Sequence, residues 1–347
     1  GDGMASVVGQ GLGGPRLPWN PRKGWAGFLA FVLFGTLGAA VLMGWTLRLP
    51  PGAWLSPWIL GLTVPVALFC ALVESLPTTL DDNLTVPLAG AVMLPLLVDA
   101  SPTALLGHPD RARRALLGLA INAAFAGFAY WQGSIDFAGG LSAVLIGVAI
   151  TVGLGLPGLL VMIAFFVLGS AATKLGYRVK AARGIAQEKG GARGWRNAWA
   201  NGGVAAFLAL MAALDPPRAG LYAIAYAAAV ATAAADTCSS EIGKAYGRRT
   251  FLITTLRPVP PGTEGAISLE GTLGGFAGGS VVASVGALGG LYSWPLAALV
   301  ALAGLLGSLA ESVIGTVAER NGWLDNDLLN ALNTALGAAI VIAFVSL

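Results

Sequence analysis

This chain is dominated by apolar runs of about the 17–25 residues that a helix needs to cross a bilayer. They lie at 24–46, 53–73, 84–106, 114–133, 137–155, 156–172, 219–236, 268–290, 294–314 and 328–347, with a shorter run at 202–214. No soluble core can hide so many, so the expected fold is an all-α, polytopic integral membrane protein of about 11 transmembrane helices. Charge content agrees: 11% of the 347 residues are Asp, Glu, Lys or Arg, against roughly 25% in soluble domains. The net charge of +3 is read as an orientation signal and not as a nucleic-acid patch, which leaves membrane lipids as the surroundings and no nucleic-acid partner.

Walking the runs alternately through a membrane puts segments 1–23, 74–83, 134–136, 173–201, 237–267 and 315–327 on one side, and with them fifteen of the twenty basic residues. By the positive-inside rule that side is cytoplasmic. Arg111, Arg113 and Arg114 break the rule and mark 107–113 as a junction. Most acidic residues share the cytoplasmic face, so an active site is expected there.

Much familiar chemistry is excluded. His108 is the only histidine, which leaves no zinc cluster and no second His for a triad, and Cys70 and Cys238 make no metal site by themselves. Gly9, Gly11 and Gly14 satisfy G-x-G-x-x-G, but no strand precedes them and no βαβ unit follows. Gly271, Gly275 and Gly279, spaced by four, read as a seam for close helix packing.

The scarce polar residues recur in order. Asp2, Ser6, Gly9 and Gly13 match Asp236, Ser240, Gly243 and Gly247 as D-x-x-x-S-x-x-G-x-x-x-G. Lys23-Gly24-Trp25-Ala26-Gly27 and Gly35 parallel Ser268-Leu269-Glu270-Gly271 and Gly279. Glu74-Ser75 before Leu80-Asp81-Asp82-Asn83-Leu84 parallels Glu311-Ser312 before Leu324-Asp325-Asn326-Asp327-Leu328. These blocks read as a duplication. Residues 1–106 form a first, incomplete unit, 107–113 the junction, and 114–347 a full second unit, which alone owns the Phe165–Asn201 block.

Glu74, Asp81, Asp82 and Asn83, and again Glu311, Asp325, Asn326 and Asp327, are oxygen-only clusters suited to Mg²⁺, although single Asp and Asn residues are also ordinary helix caps. In a helix Asp236 and Ser240 share a face with Gly243, where a phosphate chain can approach closely. Lys174 is the candidate partner of Asp236 if that acid is structural. The Pro258–Ser268 loop leads into a helix N-terminus, a natural anion site, with Thr263 and Ser268 as added donors. Most basic residues of 173–201 read as orientation signals or headgroup contacts, with Lys174, Lys180 and Arg193 as candidate polyphosphate ligands.

These blocks resemble two related families of polytopic prenol kinases. Gly1–Ser6 with Gly9, Gly13, Lys23 and Gly27 is similar to the C-terminal part of the phytol and dolichol kinase family. Ala235-Asp236-Thr237, Ser240-Glu241-Ile242-Gly243, Gly262-Thr263-Glu264-Gly265, Ser268, Gly271-Thr272 and Leu324–Asp327 resemble the phytyl-phosphate kinase family, related to transmembrane protein 19. The resemblance implies CTP-dependent, Mg²⁺-assisted phosphorylation of a prenyl alcohol by the first family and of a prenyl monophosphate by the second. Asp236 and Asp2 are then catalytic candidates. Ser240, Gly243, Lys174, Lys180, Arg193, Asn201, Thr263, Gly265, Ser268 and Lys23 are nucleotide or phosphate ligands, and the two acidic clusters hold metal. A transporter with duplicated halves and a CTP-dependent phospholipid cytidylyltransferase are the alternatives.

Overall fold

The computed structural model describes residues 1–77, 81–98, 100, 110–187, 192–318 and 323–346. His108, Lys189, Arg320 and positions 107–109 of the expected junction lie outside them. The chain divides into two compact units, Gly1–Ala100 and Ser101–Leu347.

The first unit runs α1 (Asp2–Leu12), α2 (Trp25–Thr46), α3 (Pro57–Ser75) and α4 (Asp82–Val98), each packing against the next. Ser56 starts α3 by accepting a hydrogen bond from the Ile59 amide (3.5 Å), which satisfies an amide that the first turn leaves without a carbonyl. A methyl placed at Gly27 of α2 would lie 2.9 Å from the Ala5 carbonyl oxygen of α1, so the backbones meet closely only because no side chain intervenes.

The second unit runs α5 (Asp110–Trp131), α6 (Phe137–Lys174), α7 (Tyr177–Ala182), α8 (Trp195–Leu214), α9 (Ala219–Tyr246), β1 (Thr250–Leu252), β2 (Ala266–Ser268), α10 (Leu269–Leu288), α11 (Trp294–Ala318) and α12 (Asn326–Ser346). Among the described residues eight helices are long and apolar enough to cross a membrane, and the protein is an all-α integral membrane protein. The antiparallel pair β1–β2, in register Thr250 to Ser268, is an addition to the expected helices.

α6 is two helices in one. Gly155 takes φ 68°, ψ −161°, a conformation that glycine enters without a Cβ clash, and Pro157 follows it. Gly139 and Gly169 both abut Arg193, yet thirty residues of straight helix span about 45 Å. The halves therefore fold back alongside each other, in keeping with the separate runs 137–155 and 156–172.

α9 is the mast of this unit, packed against α6, α8, α10, α11 and α12. Its Ala-rich sequence lets five helices approach one axis. Methyls at Gly271, Gly275 and Gly279 of α10 would lie 2.7, 2.6 and 3.2 Å from the carbonyl oxygens of Ser239, Ala235 and Ala231, so that glycine series is the packing seam its spacing predicts. Large side chains such as Leu273, Leu302, Leu306 and Phe344 remain exposed and face the lipid.

α9 continues past the apolar run 219–236 to Tyr246, so Asp236 and Ser240 lie inside one helix, as their spacing on one face requires. Ser240 and Tyr246 of this stretch are exposed, while Glu241 is buried and neutralised by an ion pair with Lys180; polar residues therefore do not end the helix here.

Candidate functional site

Asp236, Ser240 and Lys244 recur every four residues on α9 and so project from one face. With Gly243 they form one wall of a polar cleft of about 880 Å³, counting its open mouth. Opposite stand the loop Gly262-Thr263-Glu264-Gly265, the start of α10 at Ser268, Gly271 and Thr272, and Ser308, Glu311 and Ser312 of α11, with Asn326 at the edge.

Local folding explains the placement. Ser268 caps α10 by accepting from the Gly271 amide (3.1 Å), and its partner Thr250 in β1–β2 holds the loop over the cleft. Gly265 takes φ 71°, which glycine enters without strain, and a methyl there would lie 2.4 Å from Thr316 Oγ1 and 2.7 Å from the Ser312 carbonyl oxygen. α9 and α10 touch through Gly243 and Gly271, where a methyl on Gly271 would lie 3.3 Å from the Gly243 Cα, so the two backbones cross in close contact beside the cleft. Across the cleft the side chains of Asp236 and Glu311 are within hydrogen-bonding reach of each other. Two carboxyls this close must share a proton or a cation.

The structure thus brings Asp236, Ser240, Gly243, Thr263, Gly265, Ser268, Glu311 and Asn326 into one site. It uses the other expected residues elsewhere. Asp325 caps α12 by accepting from the Leu328 amide (2.9 Å). Its Oδ2 also lies 2.5 Å from Arg196 Nη2, and Asp327 Oδ2 lies 2.8 Å from Arg196 Nε. Lys180 is fully buried, paired with Glu241, and donates to the carbonyl oxygens of Ala172 (3.2 Å) and Thr173 (2.8 Å). Lys174 is exposed at the end of α6. Arg193 and Asn201 line a different, apolar cavity. Burial lowers the Arg193 guanidinium from its ordinary value, while Glu241 and Cys238 act in the opposite direction.

Lys244, Ser239, Ser308 and Ser312 are cleft residues absent from the sequence-derived set. For Lys244 a signal existed, since it continues the Asp236–Ser240 face by one more turn. Asp325→Ala is expected to cost about 1 kcal/mol through the lost cap and to leave turnover within a fewfold, whereas Glu311→Gln is expected to remove it. Denaturation and steady-state rates of the two variants, side by side, check this; equal loss of turnover would return Asp325 to the site.

The Gly1–Ala100 unit, by itself, carries the same pattern. One carboxylate oxygen each from Asp2, Glu74 and Asp82 lies within 4.8 Å of the others, in a cleft lined also by Ser6, Gly9, Gln10 and Lys23. Lys23 pairs with Glu74 and donates to its carbonyl oxygen (2.6 Å). Asp81 is a local cap, accepting at Oδ1 from the Asn83 amide (2.9 Å) and side chain (3.0 Å), so Asp81 and Asn83 face each other. Arg16 bridges Gly24 much as Thr250 pairs with Ser268. Between those partners lie eight steps of chain in the first unit (16 to 24) and eighteen in the second (250 to 268), and the surplus holds the Gly262–Gly265 loop.

In the second unit, a bundle of bilayer-length helices around a buried, small-residue mast, with Asp236, Glu264 and Glu311 at a polar cleft, defines an integral membrane protein with an embedded polar site. The chain belongs to the family described as Integral membrane protein DUF92, which matches residues 120–338. It is 47% identical over 200 residues to the uncharacterized membrane protein sll0875 of Synechocystis sp., covering 57% of this chain and 78% of that one. It is 42% identical over 194 residues to the chloroplastic protein VTE6 of Arabidopsis thaliana, covering 54% of this chain and 58% of the relative. Over 93 residues it is 39% identical to the chloroplastic phytol kinase 1 of Arabidopsis thaliana, which is 26% of this chain and 30% of that kinase. No solved structure matches the chain.

Proposed function

We propose that this protein transfers a phosphoryl group from CTP to a prenyl monophosphate such as phytyl monophosphate, with the reaction on the cytoplasmic face of the membrane. The observation that carries this reading is the meeting of Asp236 and Glu311 in a cleft otherwise lined by hydroxyls, a glycine loop and a helix N-terminus. Similarity to a protein named phytol kinase supports the same chemistry.

The donor set fits a hard divalent cation: Asp236 and Glu311 as carboxylates, with Asn326 and Ser240 as neutral oxygens. Mg²⁺ held there neutralises charge that develops on the transferred phosphoryl group. The chain's own residues do the rest. The first-turn amides of α10, the Ser268 hydroxyl and Thr263 orient a polyphosphate. Lys244 adds a cation on the Asp236 face. Gly243 and Gly271 let α9 and α10 meet closely, which sets the Asp236 face against the start of α10. A monophosphate acceptor is already anionic at neutral pH and needs no general base. In the first unit Asp2 is the group that could take a proton from an alcohol.

The test is purified full-length chain in detergent with γ-labelled CTP, Mg²⁺ and phytyl monophosphate. Label in phytyl diphosphate with release of CDP is expected. Release of diphosphate with cytidylyl transfer to the lipid would establish a cytidylyltransferase instead, and no transfer to lipid would refute both.

A further inference from the structure

The Ser101–Leu347 unit holds a second cavity, of about 710 Å³ counting its open side, on walls that the cleft does not use. Phe125, Ile146, Met162 and Phe166 make it apolar along α5 and the α6 hairpin, and Arg193 with Asn197 and Asn201 forms its polar end. Arg193 is fixed by its backbone: its amide donates to the Ser134 carbonyl oxygen (3.0 Å), and its own carbonyl accepts from the Asp136 amide (3.1 Å). Its guanidinium lies over the Phe165 ring at 5.5 Å and against Gly169, where a methyl would come within 2.5 Å of Nη2. Among the described residues no carboxylate forms an ion pair with Arg193, and none lines the cavity. The carboxylate that acts on Arg193 from a distance, Glu241, is already paired with Lys180, so the guanidinium at the wall of this apolar chamber can take an anion from outside. The apolar walls call for that anion to carry a hydrocarbon chain.

We propose that this cavity binds a single-chain lipid phosphate, its hydrocarbon between α5 and the α6 hairpin and its phosphate on Arg193, Asn197 and Asn201. Arg193 and Asn201 then serve the lipid and not the nucleotide. The cavity shares no lining residue with the cleft, and binding there does not rest on the proposed function. Arg193 acts electrostatically on Cys238 and Glu241, which belong to the same helix as Asp236, so the two chambers flank one mast.

The experiment uses the full chain in a neutral detergent, without nucleotide. Thermal melting is followed with hexadecyl phosphate, hexadecanol and inorganic phosphate, since a ligand that binds the native state raises the melting temperature. Hexadecyl phosphate is expected to stabilise the protein and the other two to do so little. Arg193→Gln is expected to weaken the response at least about tenfold, Ala143→Trp to abolish it by filling the chamber, and Asp236→Asn to leave it unchanged. An equal response to hexadecanol, survival of the full response in Arg193→Gln, or its loss in Asp236→Asn would overturn the proposal.

Should Arg193→Gln fail to fold, a diazirine-tailed alkyl phosphate on the unaltered protein decides. Labelling of peptides that contain Ile146 or Met162, competed by hexadecyl phosphate, is expected, and labelling confined to other peptides refutes the site. Failure of the kinase reading alone would leave binding intact with no transfer from CTP.

Discussion

Asp236→Asn is expected to lower turnover on the order of a hundredfold or more while making the protein no less stable. The exchange keeps the volume and removes one of two carboxyls that face each other in the cleft. Without a cation those two groups repel or must share a proton, so their separation costs the fold nothing and relieves it of a like-charge contact. Melting temperature without Mg²⁺ should hold or rise. The increment that Mg²⁺ gives the unaltered protein should shrink, and excess Mg²⁺ should recover part of the activity. The positive charge acting on Asp236 is that of Lys244; Lys174, the structural partner entertained from sequence, is exposed and forms no ion pair among the described residues. A lower melting temperature combined with an unchanged Mg²⁺ response would make Asp236 a structural acid.

Lys180→Met is expected to destabilise the second unit by about 3–5 kcal/mol, the usual consequence of stranding one member of a buried ion pair. Glu241 is 3% exposed and Lys180 fully buried, so water cannot replace the lost ammonium. The carbonyls of Ala172 and Thr173 lose a donor as well. Adding Glu241→Gln to Lys180→Met removes the stranded charge and should recover most of the loss. Denaturation of the single and double variants in detergent checks this. A Lys180→Met protein of normal stability with weakened nucleotide binding would place the ammonium on a phosphate after all.

These two residues show what a sequence of this kind reveals. The helices were legible because apolar length is a local property, and the α6 turn because Gly155 and Pro157 interrupt a run too long for one crossing. The cleft was legible where chemistry and spacing coincide: Asp236 and Ser240 share a helix face by arithmetic, and the Pro258–Ser268 loop, which could also be a plain connection, leads into a helix N-terminus. Partnership was not legible. Arg196 meets Asp325 across 129 positions and Lys180 meets Glu241 across 61. A charge in a sequence states what it can bind, and only the packing decides which neighbour reaches it first. Hence Asp325 and Asp327, chemically as suited to Mg²⁺ as Glu311, are engaged by a guanidinium, and Lys180 is consumed inside the protein.

The mast helix also bears on how the chain is made. α9 is 89% buried within its membrane-length window and carries Asp236, Glu241 and Lys244, side chains of the kind that cost about 2.5–3.5 kcal/mol each at the centre of an isolated helix during insertion. Emerging alone from a translocation channel, it has no face made for lipid. Its stable entry must await neighbours, so it should linger beside the channel until α10 and α11 follow with their glycine seam and Glu311. Ribosome-bound intermediates ending shortly after Tyr246 are therefore expected to hold this segment in a carbonate-extractable state, and those ending beyond α11 to hold it firmly. In such a protein the residues that equip the site for polar chemistry also set the order in which the bundle can be assembled.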